Sequence, residues 1–251
     1  RLAILGKHFQ ILKLDATDST NLYLKGLLRS ENLSDYTVVV TKNQLKGRGQ
    51  MGTSWQSEGG KNLTFSVLKK FDSLNVQYQF VLNIAVSLAV IDTLNELSVP
   101  KVKVKWPNDI MSGSKKICGI LIENVLKGDK VGHSIIGIGL NVNQTDFANL
   151  DKASSLKAIT GRNFNLDELL FMILERIRFY FEGIEAKTVP QLLPAYEKML
   201  FRKDKPSTFT NEQDERFMGY IRKVSPSGKL VLELEDRVFK EFDLKEVNLL
   251  Y

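Results

Sequence analysis

The sequence predicts an α+β fold, in which helices pack on a mixed, largely antiparallel sheet that is followed by a small antiparallel β-barrel. Three observations support this prediction. Apolar residues recur with helical spacing in long segments, strand-like runs joined by tight turns fill residues 101–142, and short strand-like runs dominate after Pro206. This change near Pro206 predicts a large domain, residues 1–202, and a small domain, residues 203–251.

The first predicted helix spans Ser19–Leu33, where leucines recur at helical spacing and Ser19 or Thr20 can cap the N-terminus. Tyr36–Thr41 is predicted to be a buried strand because of its β-branched run. The glycine-rich segment Gly47–Gly60 then predicts a loop.

A second strand is predicted over Leu63–Leu68, and the apolar spacing of Val76–Leu97 is typical of a helix packed on a sheet. Lys101–Trp106 alternates basic and apolar residues, which predicts a half-buried strand. The turn Ser112–Lys115 leads into a further strand, Ile117–Val125.

The turn Lys127–Lys130 leads into the next predicted strand, Val131–Val142, so consecutive strands should pair antiparallel. Gln144–Ser155 is polar and irregular, which predicts a mobile loop. A capping box that begins at Asn165 precedes a long predicted helix, Asp167–Ala186. The final barrel is predicted from three runs separated by tight turns: Phe217–Val224, Lys229–Glu235 and Val238–Phe242.

Composition narrows the class of protein. The chain has 251 residues, of which 43% are hydrophobic and 25% charged, as in a soluble globular protein with a sizeable core. Its most apolar stretch, Val81–Leu97, is interrupted by polar residues, so we expect no membrane span. The start of the chain lacks a signal-peptide pattern, and the single cysteine, Cys118, excludes internal disulfides, so we expect a cytoplasmic protein.

The net charge of +6 raises the question of nucleic-acid binding. Acidic residues interleave with basic ones, and there is no helix-turn-helix spacing, zinc finger or arginine-rich tail. We therefore expect anionic small molecules and an acidic protein partner rather than nucleic acid.

The segment Gly47–Gly52 matches G-x-G-x-x-G after a strand. A dinucleotide-binding turn would continue as a helix, whereas this chain continues with two further glycines and a strand, and no kinase or Walker motif is present. Arg48 between glycines suits a phosphate or a carboxylate, with Trp55 as a flat apolar surface beside it. The alternative is an ordinary turn with Trp55 in the core and Arg48 at the surface.

Two further segments place polar groups at strand ends. Lys105–Asp109 (KWPND) presents Asn108 and Asp109 just past a strand, where ligands often bind, although the same residues also form ordinary turns. Lys116 begins an apolar strand that contains Gly119, so it could neutralise a developing anion, or it could be a solvated lysine at a hairpin edge.

The fourth segment, Ile135–Asn143 (IIGIGLNVN), has glycines inside a strand, which often mark the close approach of a ligand or of another backbone. With Asp18–Asn21 (DSTN), these segments resemble the biotin–protein ligases, or holocarboxylase synthetases. That family runs DSTN, GRGRxGRxW, KWPND, KxxGIL(x)E and GxGxN in this order and at similar intervals. The resemblance covers the chain from about Asp15 to its end.

The resemblance implies the class II synthetase-like biotin/lipoate ligase fold with a C-terminal SH3-like barrel. It implies an ATP-dependent ligase that forms biotinyl-5′-AMP, releases pyrophosphate, and transfers biotin to a lysine of a biotin carboxyl carrier protein of acetyl-CoA carboxylase or a related carboxylase. Only 18 residues precede Ser19, so we expect the monofunctional type without an N-terminal DNA-binding domain, and family members pair through sheet edges, which allows a homodimer.

By the same resemblance, Arg48 and Lys116 are the predicted catalytic residues, and the polar segment Val142–Ala153 is the loop that orders over the adenylate. Mg²⁺ would arrive with ATP, with Asn141 as a candidate ligand. The predicted biotin-binding residues are Ser19, Thr20, Asn21, Gln44, Gly47, Arg48, Gly49, Gln50, Lys116, Gly119 and Gly137. The predicted ATP- and adenylate-binding residues are Arg48, Trp55, Lys105, Asn108, Lys116 and Asn141.

This chain departs from the family pattern at Gln50, where a second arginine is usual, and at Thr53, where arginine or asparagine is common. Glutamine keeps hydrogen bonding but loses a positive charge beside the α-phosphate. We therefore expect retention of the adenylate to depend more heavily on Arg48 and Lys116. Asp109 is a candidate base for the transfer step.

Three alternatives remain open from the residues alone. A lipoate–protein ligase would perform the same chemistry on another acid, although its arginine pair and its triple glycine before a histidine are absent here. A biotin-responsive DNA-binding repressor would need the missing helix-turn-helix domain. A non-catalytic module would bind biotin without releasing pyrophosphate from ATP.

Overall fold

A computed structural model describes residues 2–5, 8–148, 150–184 and 189–251 and confirms the predicted α+β class. The elements up to the middle of the chain are β1 (Leu2–Leu5), β2 (Phe9–Thr17), α1 (Thr20–Ser30), β3 (Thr37–Gln44), β4 (Gly47–Arg48), β5 (Ser54–Trp55), β6 (Leu63–Lys70), α2 (Phe80–Glu96), β7 (Val102–Lys105) and β8 (Asp109–Ser112). They are followed by β9 (Lys115–Lys127), β10 (Lys130–Leu140), α3 (Leu156–Thr160), α4 (Leu166–Phe181), α5 (Val189–Lys198), β11 (Pro206–Thr210), β12 (Arg216–Val224), β13 (Leu230–Glu233), β14 (Phe239–Phe242) and β15 (Asn248–Leu250).

Eight strands of the described residues form the main sheet, in the order β1-β2-β3-β6-β10-β9-β8-β7. Within it, β2 and β3 pair parallel and the other described neighbours pair antiparallel, so the sheet is mixed and largely antiparallel, as predicted. The register places Gly137 of β10 opposite Ser66 of β6 and Leu121 of β9. Since side chains alternate between the faces of a strand, this register decides which residues share each face.

The two faces of the sheet carry different helices. Val38 and Val67 point into a large apolar core with α2 and α4, whereas Val39 and Leu68, one residue further along, pack with Leu24 of α1. Helix α2 is buried almost all round because it packs against α4, α5 and the sheet. The α1 face is the one on which the polar strand residues lie.

Among the described residues, Val76–Glu96 is the one helical stretch whose length and apolar composition would allow it to cross a membrane. Its most apolar window is 67% buried inside the protein. Burial of that extent within a packed domain is what a core helix shows, because its apolar surface is already removed from water.

The sequence did not predict several elements: β1, β2, β8, α3, α5, β11, β15, and the two short strands β4 and β5 within the predicted loop Gly47–Gly60. The omission of β8 matters for the site, because Asp109 does not lie in a loop after the strand but begins β8, opposite Lys105 of β7 and Gly119 of β9. The predicted helix Asp167–Ala186 is too long: α4 ends at Phe181, where Glu182 takes an extended conformation. Residues 185 and 186 lie outside the described residues.

The strands after residue 205 form a second antiparallel sheet in the order β14-β13-β12-β11-β15. No pairing between β14 and β15 occurs in the described chain, so closure into a barrel stays a prediction. This small sheet contacts the rest of the protein through specific polar bonds. Trp106 Nε1 donates to the Gly228 carbonyl oxygen at 2.9 Å, and the Val224 amide donates to Glu197 Oε1 at 3.1 Å.

Candidate active site

A cavity of about 680 Å³ opens on the α1 face of the main sheet, between that sheet, the segment that includes β4 and β5, and the small sheet. Its size is that of a site for a drug-sized or nucleotide-sized ligand. It brings together most of the predicted site residues: Ser19, Thr20, Asn21, Gln44, Arg48, Gly49, Gln50, Trp55, Lys105, Asn108, Lys116, Gly119 and Gly137. Gly47 and Asn141 do not line it.

At the floor of the cavity, the strand glycines Gly119 and Gly139 have no side chains, and the ring of Trp55 lies directly on them. A β-carbon added to Gly139 would lie 2.5 Å from Trp55 Cε2, and one added to Gly119 would lie 3.2 Å from Trp55 Cζ3. The indole therefore rests directly on the strands, which no larger residue at Gly139 would allow without a shift of the ring. Trp55 Nε1 is buried and has no hydrogen-bond partner among the described residues.

The structure shows why position 47 is a glycine, which the sequence did not reveal. It pairs with Trp55 across β4 and β5, and a β-carbon there would overlap the Trp55 carbonyl oxygen and lie 2.6 Å from Gln44 Nε2. Gly47 therefore allows the segment to approach the sheet closely. Arg48, the next residue, lines the cavity with an exposed side chain that an anionic ligand can reach.

One end of the cavity is polar and uncharged. Ser19 caps α1, because its Oγ accepts from the Leu22 amide at 3.4 Å. The Thr20 amide donates to Gln44 Oε1 at 3.0 Å, which joins the start of α1 to the end of β3. Ser19 and Thr20 are each 3% exposed, so this end offers fixed hydrogen-bonding groups in a dry environment.

The other end of the cavity carries a charge cluster. Lys116 Nζ lies 2.9 Å from Asp109 Oδ1 and 5.7 Å from the centre of the Trp55 ring, and Lys105 Nζ lies 3.9 Å from Asp109 Oδ2. Burial lowers the pKa of Lys105 below its usual value, an effect that Asp109 opposes and that Lys116 and Lys152 reinforce. Two lysines against one carboxylate leave net positive charge for a phosphate or carboxylate.

The two predicted asparagines use their amide hydrogens within the protein. Asn108 Nδ2 donates to the Ile120 carbonyl oxygen, and Asn141 Nδ2 donates to the Ser154 carbonyl oxygen at 3.1 Å. Asn141 Oδ1 is buried and has no hydrogen-bond partner in the described part of the chain, so it is free to accept or to coordinate.

The polar segment after β10 runs beside Lys116. The Lys116 amide donates to the Lys152 carbonyl oxygen at 2.8 Å, and the Ser154 amide donates to the Lys116 carbonyl oxygen at 3.0 Å. This pairing places the segment next to the charge cluster, where the predicted loop over the adenylate would have to lie. Its residue 149 lies outside the described residues, and its mobility stays a prediction.

Sequence reasoning missed Ser66 and Thr64, which are buried on β6 beneath the polar end. Their signal was available, because two polar residues two positions apart in an otherwise apolar strand lie on the same face. It also missed the contribution of the small sheet, which lines the cavity with Asn211, Asp214 and Lys245. Nothing in the spacing of those residues points to the distant motifs.

Comparison with solved structures agrees with this geometry. The fold is similar to that of the biotin protein ligase of Aquifex aeolicus solved in complex with biotin and ATP, with a TM-score of 0.78, 29% identity, and coverage of 95% of this chain and 97% of that chain. The chain belongs to the biotin/lipoate A/B protein ligase family, whose profile matches residues 14–141, just over half of its length.

Two curated relatives extend the likeness. The bifunctional ligase/repressor BirA of Escherichia coli is 27% identical over 244 residues, which cover 94% of this chain and 73% of that protein. The biotin–[acetyl-CoA-carboxylase] ligase of Mycobacterium tuberculosis is 33% identical over 131 residues, which cover 51% of this chain and 47% of that protein.

Proposed function

We propose that this protein is a biotin–protein ligase that makes biotinyl-5′-AMP from biotin and ATP and then transfers biotin to a lysine of a carrier protein. The observation that carries the proposal is the distribution of charge in the cavity, which is uncharged at one end and positive at the other. A dry, uncharged polar end at Thr20 and Gln44 can hold a neutral ring, while Lys116 and Arg48 stand where a carboxylate would meet a phosphate.

The first step needs no protein nucleophile. The biotin carboxylate attacks the α-phosphorus of ATP and forms a new oxygen–phosphorus bond. The bond between the α-phosphorus and the oxygen that bridges to the β-phosphate breaks, and pyrophosphate leaves with the electron pair of that bond. The protein must align two anions and neutralise the charge that builds on phosphorus. Arg48 and Lys116 supply that positive charge, and Lys105 adds to it near the phosphates.

The predicted roles of the remaining residues follow their positions. Ser19, Thr20, Asn21 and Gln44 line the polar end and would hold the ring, and Gly119 and Gly137 would leave room beneath it for the side chains of Trp55 and Asn21. Trp55 would flank the adenylate, and Asn108, whose amide nitrogen donates to the Ile120 carbonyl oxygen, would contact ATP through its side-chain oxygen. Gly49 and Gln50 would approach the acid and the α-phosphate from the segment between β4 and β5.

Magnesium would enter with the triphosphate. The described residues contain no cluster of three or more histidine, cysteine, aspartate or glutamate side chains that could hold a metal. Mg²⁺ prefers oxygen ligands and is commonly held by one or two protein groups plus substrate phosphates. The predicted ligand Asn141 has an unpartnered Oδ1 among the described residues but does not line the cavity, so it would hold the ion only if the triphosphate reached that buried oxygen. When bound, the ion would neutralise phosphate charge.

In the second step a lysine amine of the carrier attacks the mixed anhydride, AMP leaves, and Asp109 is the candidate that takes the amine proton. By analogy with the relatives, the acceptor would be a biotin carboxyl carrier domain of a carboxylase, in the cytoplasm and away from the membrane, and the protein could pair as a homodimer. The interleaving of acidic with basic residues gives no reason to add a nucleic-acid partner. We assign catalysis to residues 1–202 and treat residues 203–251 as the small domain that closes the cavity.

The deciding experiment measures pyrophosphate release from ATP by the purified protein with Mg²⁺ and biotin, lipoate or no acid. Biotin-dependent release supports the proposal and excludes a module that only binds biotin. Release with lipoate alone assigns the chain to the lipoate branch of its family. Absence of release with any acid, in protein shown by circular dichroism to be folded, overturns the proposal.

Gln50→Arg should slow dissociation of biotinyl-5′-AMP by about threefold to tenfold, because a charged guanidinium replaces a neutral amide beside the α-phosphate. The rate can be followed by chasing pre-formed radiolabelled adenylate with unlabelled ligand. Gln56→Arg, whose side chain does not line the cavity, is the matched control. An unchanged rate for Gln50→Arg contradicts the idea that retention rests mainly on Arg48 and Lys116.

The KM for ATP should rise at alkaline pH. Because burial lowers the pKa of Lys105, this side chain is charged below that lowered pKa and loses its proton at a pH where an exposed lysine is still charged. Lys105→Arg keeps its charge, so the rise in its KM for ATP between neutral and alkaline pH should be at least about threefold smaller than the rise in the wild type. Lys103→Arg, which changes a lysine on the same face of β7 that does not line the cavity, should follow the wild-type profile. Coincident profiles for all three proteins contradict the prediction.

A further inference from the structure

A chain of hydrogen bonds lies beneath the polar end of the cavity. Lys25 Nζ donates to Glu123 Oε1 at 2.6 Å, and Asn21 Nδ2 donates to Glu123 Oε2 at 2.8 Å. Ser66 Oγ lies 2.5 Å from Asn21 Oδ1 and 2.7 Å from Thr20 Oγ1. Asn21, Ser66 and Thr20 are buried, and Glu123 does not line the cavity, so it reaches the ligand space only through Asn21.

The carboxylate of Glu123 fixes which group donates and which accepts in each of these hydrogen bonds. A carboxylate can only accept, so Asn21 must turn its Nδ2 toward Glu123, with the Leu121 carbonyl oxygen as a second acceptor at 3.4 Å. Asn21 Oδ1 then faces Ser66. An amide oxygen cannot donate, so the single proton of Ser66 is committed to Asn21.

The same constraint fixes the donor and acceptor roles of Thr20 and Gln44, which face the ligand. The Thr20 hydroxyl proton has acceptors within the protein, in Ser66 Oγ and in Gln44 Oε1 at 3.4 Å, so Thr20 offers a lone pair to the cavity. The Thr20 amide fixes Gln44 Oε1 at 3.0 Å, which leaves Gln44 Nε2 as the donor. The polar end therefore presents one acceptor beside one donor.

This pattern matches a cyclic urea, whose N–H groups need an acceptor and whose carbonyl oxygen needs a donor. We propose that Glu123, held by Lys25, is a positioning residue that fixes this donor and acceptor pattern and thereby favours an acid that carries a cyclic urea. The proposal rests on the ligase function proposed above. Gly137 supports it independently, because a β-carbon there would lie 2.5 Å from Asn21 Oδ1, so β10 leaves room for the amide to reach Glu123.

Glu123→Gln tests the proposal, because glutamine can both donate and accept and so releases the orientation of Asn21. In the pyrophosphate assay, the KM for biotin should rise about tenfold, while the KM for ATP and kcat stay within about twofold. A side chain with only a structural role would instead lower the melting temperature and change all three kinetic constants. Lys25→Met, which keeps Glu123 but removes its partner, should raise the KM for biotin about threefold.

A double exchange provides the rescue. Asn21→Asp alone would set two carboxylates against each other and should be worse than Glu123→Gln. Combined with Glu123→Gln, it restores the contact with donor and acceptor exchanged between the two positions, and it leaves the direction of the bond from Ser66 unchanged. The introduced glutamine amide then donates to one oxygen of the introduced aspartate, while the other oxygen of that aspartate accepts from Ser66. The double variant should bring the KM for biotin back to within about threefold of the wild type.

Glu96→Gln is the control, because it removes a carboxylate that pairs with Arg176 between α2 and α4, away from the cavity, and should leave all constants unchanged. An active wild type in which Glu123→Gln leaves the KM for biotin unchanged, or in which the double exchange is no better than Asn21→Asp alone, overturns this inference and leaves the ligase function standing. A wild type that releases no pyrophosphate with biotin overturns the ligase function itself.

Discussion

Lys116→Ala is expected to lower the rate of biotinyl-5′-AMP formation by at least about a hundredfold, because it removes one of the few positive charges at the reacting end of the cavity. Lys116 Nζ stands 2.9 Å from Asp109 Oδ1. Its loss therefore leaves Asp109 with Lys105 at 3.9 Å as its remaining cationic partner among the described residues, so the cluster of these side chains turns from net positive to neutral. Single-turnover pyrophosphate release with saturating biotin and ATP measures this step directly.

The neighbouring lysine offers a matched control. Lys115 carries the same charge one residue earlier on β9, but its Nζ donates to the Asp151 carbonyl oxygen and it does not line the cavity. Lys115→Ala should therefore change the rate by less than about threefold. A loss of less than about tenfold for Lys116→Ala would show that Lys116 is not a principal source of charge stabilisation.

Gly139→Ala is expected to lower kcat/KM for biotin by about a hundredfold, although it adds a single methyl group. The new β-carbon would lie 2.5 Å from Trp55 Cε2, closer than such contacts occur, so the indole must move off the floor of the cavity. A displacement of about 1 Å in a group that aligns two reactants can cost about that much.

Gly132→Ala on the same strand is the control for this substitution. There the added β-carbon makes ordinary contacts of 3.5 Å with the Val125 carbonyl oxygen and 3.6 Å with Lys127 Cβ. Its kcat/KM should match the wild type, and both variants should melt within a few degrees of it. If Gly139→Ala has wild-type kinetics, Trp55 is not a fixed part of the site.

The pattern of the sequence predicted those parts of the fold that depend on local periodicity. The β-branched run before Thr41, the alternation around Val104 and the capping box at Asn165 each became the element expected. The strand β8 could not be predicted in this way, because it has four residues and its pairing is decided by β7 and β9 on either side. Tertiary pairing overrides local preference most easily in strands of that length.

The candidate site could likewise be predicted only in part, because some of its features depend on local motifs and others on tertiary pairing. Ordered motifs identified Thr20, Lys116 and Gly137, and the fold brings them around one cavity. What the motifs could not supply was direction: whether an amide turns its nitrogen or its oxygen toward the ligand depends on Glu123 and Ser66, which meet Asn21 only after β9, β10 and β6 have paired. Such information lies in the register of the sheet rather than in any single segment.

The bond from Trp106 to the Gly228 carbonyl oxygen has a consequence for the order of events during synthesis. Trp106 precedes Asn108 and Asp109 by only a few residues, yet its partner is made more than a hundred residues later. A nascent chain can pair the strands of its main sheet while the wall formed by Asn211 and Lys245 does not yet exist. Such a chain would meet its substrates with the cavity open on one side, and so the ability to hold a reactive intermediate away from water is acquired only after the small sheet has been made.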